Sequence, residues 1–163
     1  AHLYTPTVVA LMLIAYGVGF IVVEKRNEGI TPRIQKMSDF RWTDALAIGL
    51  FQVLALVPGT SRSGATILGG ILIGASRGLA AEYTFFLAVP VMFGASLLKI
   101  VKYGAFTGTQ ALVLLLGMAV AFVVSLAAIK FLMSYIKKHS FAAFGYYRIA
   151  LGALVLLYFL VIK

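Results

Sequence analysis

The chain has 163 residues, 62% of them hydrophobic and 12% charged, with a formal net charge of +9. Ordinary soluble domains run at roughly 45–50% apolar and about 25% charged, so a soluble globular domain is excluded and a polytopic helical membrane protein is indicated. The bases sit mostly at the ends of apolar runs and not in a stripe interleaved with aromatics, which argues against a nucleic-acid partner, and the absence of cysteine excludes disulfides and thiolate metal sites.

The whole chain, 1–163, reads as a single membrane domain. It opens Ala1-His2 with neither a methionine nor a basic leader, so no signal peptide is discounted, and it reads as a processed chain or a fragment. Residues 6–23 are predicted to form the first spanning helix, with Thr5 as cap and Pro6 in the first turn. Residues 24–42 are the long polar connection, and Trp42 at its end suits an interfacial anchor. The next two apolar segments, Thr43 to Val57 and Gly64 to Gly74, are about 22 Å and about 16 Å long as helices, too short for a hydrocarbon core of roughly 30 Å. Together, 43–74 are predicted as a re-entrant helical hairpin with its tip at 58–64. Gly69, Gly70 and Gly74 offer the second arm a smooth packing face. Full spans follow at 79–103, bent at Pro90, at 110–136, and at 141–162, the last interrupted by Arg148.

A hairpin that returns to its starting side places Lys25, Arg26, Arg33, Lys36, Arg41, Arg77, Lys130, Lys137 and Lys138 on one face and only Lys99, Lys102 and Lys163 on the other. The excess of bases marks the first face as cytoplasmic and points the tip toward the exterior. A single broken helix threading across would split the bases more evenly and ranks second.

The tip concentrates the chain's polarity: Pro58, Gly59, Thr60, Ser61, Arg62, Ser63, Gly64, Ala65, Thr66. An arginine at mid-membrane costs about 2.5–3.5 kcal/mol on insertion scales, so it faces a cavity or a partner. A Gly/Ser/Thr loop running into a helix N-terminus suits an anion, because the first N–H groups lack intrahelical partners and the dipole favours negative charge. Arg62 adds a fork of donors matched to phosphate oxygens, with the hydroxyls of Ser61, Ser63 and Thr66 beside it. The Walker lysine and spacing are absent. Two readings stand on these residues: a phosphate or pyrophosphate cradle, or a hairpin tip whose arginine pairs with carbonyls or with an acid of another helix in a channel or transporter. Arg148, next to Tyr146 and Tyr147, is either a second anion contact or a snorkelling residue. Glu82 reads as a helix-start acid, and His2 and His139 as solvated. The five acids, Glu24, Glu28, Asp39, Asp44 and Glu82, all lie toward the cytoplasmic face, so the tip lacks the acid–base or metal half of a hydrolytic site.

The run from Leu54 through Pro58-Gly59-Thr60-Ser61-Arg62-Ser63-Gly64-Ala65-Thr66 resembles the signature of bacterial undecaprenyl-diphosphate phosphatases, the bacitracin-resistance family. The likeness continues through Ala80-Ala81-Glu82-Tyr83-Thr84-Phe85-Phe86-Leu87-Ala88-Val89-Pro90 and Phe144-Gly145-Tyr146-Tyr147-Arg148. It implies an all-α enzyme of the bacterial cytoplasmic membrane, one half of an inverted-repeat architecture with its site open to the periplasm. The reaction it implies is hydrolysis of undecaprenyl diphosphate to the monophosphate and phosphate, which recycles the cell-wall lipid carrier and gives bacitracin resistance. Substrate contacts are implied along Pro58, Gly59, Thr60, Ser61, Arg62, Ser63, Gly64 and Thr66, with Arg62 as the main diphosphate ligand and Ser61 close to the metal. The metal is a divalent ion, magnesium or calcium, whose other ligands belong to a glutamate-rich N-terminal portion with no match here. The resemblance therefore implies a C-terminal portion, inactive alone, whose partners are the prenyl diphosphate, membrane lipids and the N-terminal half, with a homodimer left open. The competing readings are a polyprenyl-phosphate transporter or flippase module and an assembly scaffold with glycine-rich packing surfaces.

Overall fold

A computed structural model describes residues 4–159, without the side chains of 137 and 138; His2, Lys163 and the end of the 141–162 segment lie outside it. The described residues form six α-helices: α1 Pro6–Arg26, α2 Trp42–Val53, α3 Arg62–Leu72, α4 Arg77–Tyr103, α5 Gly108–Lys138 and α6 Ala142–Leu157. Short 3-10 turns lie at Met37–Asp39 and Leu54–Leu56. The fold is all-α. Among the described residues the extended pairing is an isolated parallel bridge between Ile34 and Ala75. Helices α1, α4 and α5 are long and apolar enough to cross a membrane.

Local chemistry sets the helix starts. Thr5 accepts from Val8 N at 3.2 Å with Pro6 at the first helical position, and Ser76 accepts from Leu79 N at 3.4 Å to begin α4. Thr107 and Gln110 form a reciprocal capping box ahead of α5 (Gln110 N to Thr107 Oγ1 3.4 Å, Thr107 N to Gln110 Oε1 3.0 Å); such boxes satisfy two otherwise orphaned N–H groups. The α4 and α5 starts therefore lie two residues ahead of the apolar runs at 79 and 110, since the caps and not the apolar runs decide them. Pro90 lies inside α4, and Glu82 falls in the second turn of that helix, exposed.

Helices α2 and α3 form the hairpin. At 12 and 11 residues they are about 18 Å and about 16 Å long, well short of a hydrocarbon core. They run antiparallel in close contact: a Cβ on Gly69 would lie 2.6 Å from the Phe51 ring, and one on Gly70 would lie 2.9 Å from Ala80 of α4. Both feet of the hairpin open at the same end of the molecule, where Arg33 ties them, pairing with Asp44 of α2 at 2.7 Å and donating to Ile73 O after α3 at 3.2 Å. In the same polar connection Asp39 accepts from the backbone of Lys36 at 3.0 Å and of Gln35 at 3.2 Å, and these bonds, Lys36 foremost, hold its carboxyl below the usual carboxylate range.

Helices α1 and α6 cross antiparallel along small residues. A Cβ on Gly17 would lie 2.7 Å from Gly145 O, and one on Gly152 would lie 2.9 Å from Ala10 O, the close backbone approach that membrane helices use when lipid offers no hydrophobic drive. The buried core, including Phe20, Leu68, Ile71, Leu79, Ile136 and Phe141, lies between the tip and the polar end. There the buried carboxylate of Glu24 pairs with Arg77 of α4 and accepts from Phe141 N, ahead of α6, at 2.9 Å. Helix α5 is apolar and exposed along nearly its whole length, as expected of a lipid-facing or partner-facing span.

Candidate functional site: the hairpin tip

The tip is a tight turn followed at once by a helix. Thr60 N donates to Val57 O at 3.1 Å, with Pro58 and Gly59 as the central residues and Gly59 at φ +88°, the pattern of a type II turn. Glycine is required at 59 twice over: a side chain is strained at that φ, and a Cβ would lie 2.5 Å from Val9 O of α1. Val9 is three residues into α1, so the turn lies about 5 Å from that helix's start, at the end opposite the polar connection.

Ser61 caps α3, its Oγ accepting from Gly64 N at 3.2 Å. The helix takes in Arg62, Ser63 and Gly64, so the turn is shorter than the predicted 58–64. The N–H groups of Arg62 and Ser63, in the first turn, have no carbonyl to bond within the helix. The Ser61 and Ser63 hydroxyls meet at 3.1 Å.

Thr66 lies inside the bundle. It is 1% exposed, and its hydroxyl serves the fold, within 3.1 Å of Arg62 O and Ser63 O and 2.9 Å of Thr84 Oγ1 on α4. A threonine in a helix back-bonds to carbonyls three and four residues earlier, and here the neighbouring helix α4 supplies the third partner. It ties the first turn of α3 to α4.

Arg148 comes to the tip from α6. Its Nη2 donates to Gly59 O at 2.9 Å, and its guanidinium lies 5.8 Å from the centre of the Tyr16 ring, within cation–π range. The snorkelling reading is thereby set aside. Tyr146 and Tyr147, its neighbours in sequence, are 64% and 65% exposed and take no part in this contact. Tyr16 carried no signal in the sequence, and Thr84 none beyond its place in the family-like run, because their contacts with Arg148 and Thr66 are created only by packing.

Among the described residues, the buried side-chain polar atoms without a hydrogen-bond partner are Thr60 Oγ1, Arg62 Nη1, Arg148 Nε and Glu24 Oε2. The last is in the Arg77 ion pair; the other three belong to the tip or to the arginine that grips it, and of these Thr60 Oγ1 faces the Tyr16 hydroxyl. Buried polar groups are nearly always partnered, so unpartnered guanidinium N–H groups grouped in this way are unusual. Two of the three atoms carry guanidinium N–H, and the ligand they suit is an anion.

A divalent cation does not fit the tip alone. Magnesium and calcium call for carboxylate and carbonyl oxygens, whereas the tip offers hydroxyls beside two cations, and no group of three or more His, Asp or Glu residues converges among the described residues.

The fold thus defines an integral membrane protein whose helical hairpin gathers two arginines and two serine hydroxyls at or beside its tip. Comparison with known proteins agrees in class: the model of the family described as bacitracin resistance protein BacA matches residues 1–154. The chain belongs to that family. It is 62% identical over 158 residues to an undecaprenyl-diphosphatase of Enterococcus faecalis, covering 96% of this chain and 57% of that relative. It is 60% identical over 161 residues to the protein of that name from Acetivibrio thermocellus, and 56% identical over 161 residues to that from Lachnoclostridium phytofermentans; each match covers 98% of this chain and 59% of the relative. The chain spans less than two thirds of the length of the relatives it matches.

Proposed function

We propose that the tip binds the diphosphate of a polyprenyl diphosphate and serves its hydrolysis to the monophosphate and phosphate, the activity named for the relatives. The observation that carries this reading is the set of unpartnered buried donors: Arg62 Nη1 and Arg148 Nε at a helix N-terminus that already favours negative charge. Arg62 is the main diphosphate ligand; Ser61 and Ser63 add hydroxyls, and Pro58, Gly59, Thr60 and Gly64 shape the turn that presents them. The hydrolase name of the relatives favours this reading over the transporter and scaffold ones.

Hydrolysis needs an acid–base pair or a metal held by carboxylates, and the acids of this chain do not supply it. Glu24, Asp39 and Asp44 are engaged at the polar end, with Glu28 in the same connection, and Glu82 is exposed on α4. The carboxylates that hold a divalent ion therefore come from a complementary portion of the enzyme, with Ser61 as the nearest contribution from this chain. The positive-inside count favours the cytoplasmic membrane of a bacterium with the tip facing the periplasm.

The test is phosphate release from undecaprenyl diphosphate in detergent. The 163-residue chain alone is expected to show none, and the chain co-expressed with the complementary part of the Enterococcus faecalis relative is expected to turn over. Arg62→Ala in that pair is expected to lower the rate by about 100-fold or more, the scale of losing a charged donor at a transferring phosphoryl group. Turnover by the chain alone would remove the shared-site reading, and an unchanged rate in Arg62→Ala would remove the tip from the reaction.

A further inference from the structure

Directly beneath the tip lies a cavity of about 160 Å³, bounded by α1, α3, α4, α5 and α6. Ser61, Ser63 and Arg148 form its polar end, and Phe20, Phe85 and Phe144 are among the apolar groups of its body. Thr84, the polar side chain in the body, has its hydroxyl bonded to Ala80 O at 2.8 Å and to Thr66. The body therefore has little to offer water, which needs two to four polar partners to settle in a buried hole; apolar cavities of about 150 Å³ instead stay dry and take a six-carbon hydrocarbon. The cavity joins a hydrocarbon-sized chamber to the hydroxyl and guanidinium groups of the anion site.

We propose that this cavity holds the isoprene unit bonded to the diphosphate, so that the site recognises its lipid by the first five branched carbons and not by overall chain length. The inference rests on reading the tip as a prenyl-diphosphate site. Two features support it. The chamber is continuous with the head-group donors, so one ligand fills both. Its volume suits five or six carbons, leaving the rest of a long chain to lie outside among lipids, against the exposed apolar faces of α4 and α5.

The test uses the full chain in detergent and isothermal titration with three water-soluble probes: inorganic pyrophosphate, methyl diphosphate and dimethylallyl diphosphate. Dimethylallyl diphosphate is expected to bind on the order of a hundredfold more tightly than methyl diphosphate, the gain from burying a few methylene-sized groups. Ala81→Leu, at a wall position 1% exposed, fills the chamber and is expected to erase that gap while leaving pyrophosphate and methyl diphosphate unchanged. Where that variant does not fold, Phe144→Ala, at a wall residue 37% exposed, opens the chamber and is expected to weaken dimethylallyl diphosphate alone by tenfold or more. Equal affinities for the two organic diphosphates, or a gap that survives both substitutions, would overturn the cavity assignment while leaving the anion site standing. Failure of pyrophosphate and both diphosphates to bind would overturn the anion reading and this inference with it.

Discussion

Gly59 is the residue on which the geometry of the tip turns. Its carbonyl receives Arg148, its Cα faces the α1 backbone at Val9, and its φ of +88° excludes a side chain without strain. Gly59→Ala is expected to cost at least about 1–3 kcal/mol from backbone strain alone, and more from the contact with Val9, lowering the unfolding temperature in detergent; a variant as stable as the parent would show that the turn is not held as described. Thr66 separates support from contact. Thr66→Val removes a buried hydroxyl but leaves Thr84 bonded to Ala80 O, so the expected loss is about 0.6–1.7 kcal/mol, the range of interhelical hydrogen bonds in membranes. In the co-expressed pair its rate is expected to fall less than tenfold, far less than for Arg62→Ala; equal losses would place the Thr66 hydroxyl on the ligand.

At the scale of elements, α1 is held at both of its ends by chemistry that ties it to the hairpin and to α6. Tyr16 and Val9 face Arg148 and the turn, while Glu24, 5% exposed, joins Arg77 of α4 to the backbone N–H ahead of α6. Glu24→Ala takes away a charged acceptor and strands the Phe141 N–H, at a cost of about 1.5–3 kcal/mol. Arg77→Ala is expected to cost less, because that side chain is 42% exposed and its pairing is partly screened by water. Chemical unfolding of the two variants in mixed micelles checks the order, and a larger loss for Arg77→Ala would refute the keystone role of Glu24. Similarly, the hairpin's feet depend on Arg33, which the sequence shows only as one cation among the topogenic bases.

At the scale of the whole molecule, the arrangement has a polar end, carrying the connection after α1 and the α3–α4 and α5–α6 junctions, and an opposite end, carrying the tip and the α4–α5 turn. Since the chain has no cysteine, single replacements report cleanly on sidedness. Ser38→Cys is expected to react with a membrane-impermeant thiol reagent only after cells are opened, and Ala105→Cys in intact spheroplasts. The reverse pattern would invert the proposed orientation, and labelling of both from outside would break the hairpin topology.

What sequence alone could decide was whatever depends on composition and on neighbours along the chain. The all-α membrane class follows from apolar runs of spanning length, and the hairpin from two arms too short to cross. The concentration of turn, cap and charge at the tip follows from Ser61-Arg62-Ser63 after Pro58-Gly59, because all three are local there. Only the tertiary structure could bring Arg148 and Tyr16 to that turn, bury Thr66 against Thr84, join Glu24 to Arg77, and leave a largely apolar chamber beside the serines. Those arrangements pair residues as distant along the chain as Tyr16 and Arg148, and they arise where small residues let helix backbones approach. Periodicity along one helix tells which face is apolar, but not which residue of another helix will lie against it.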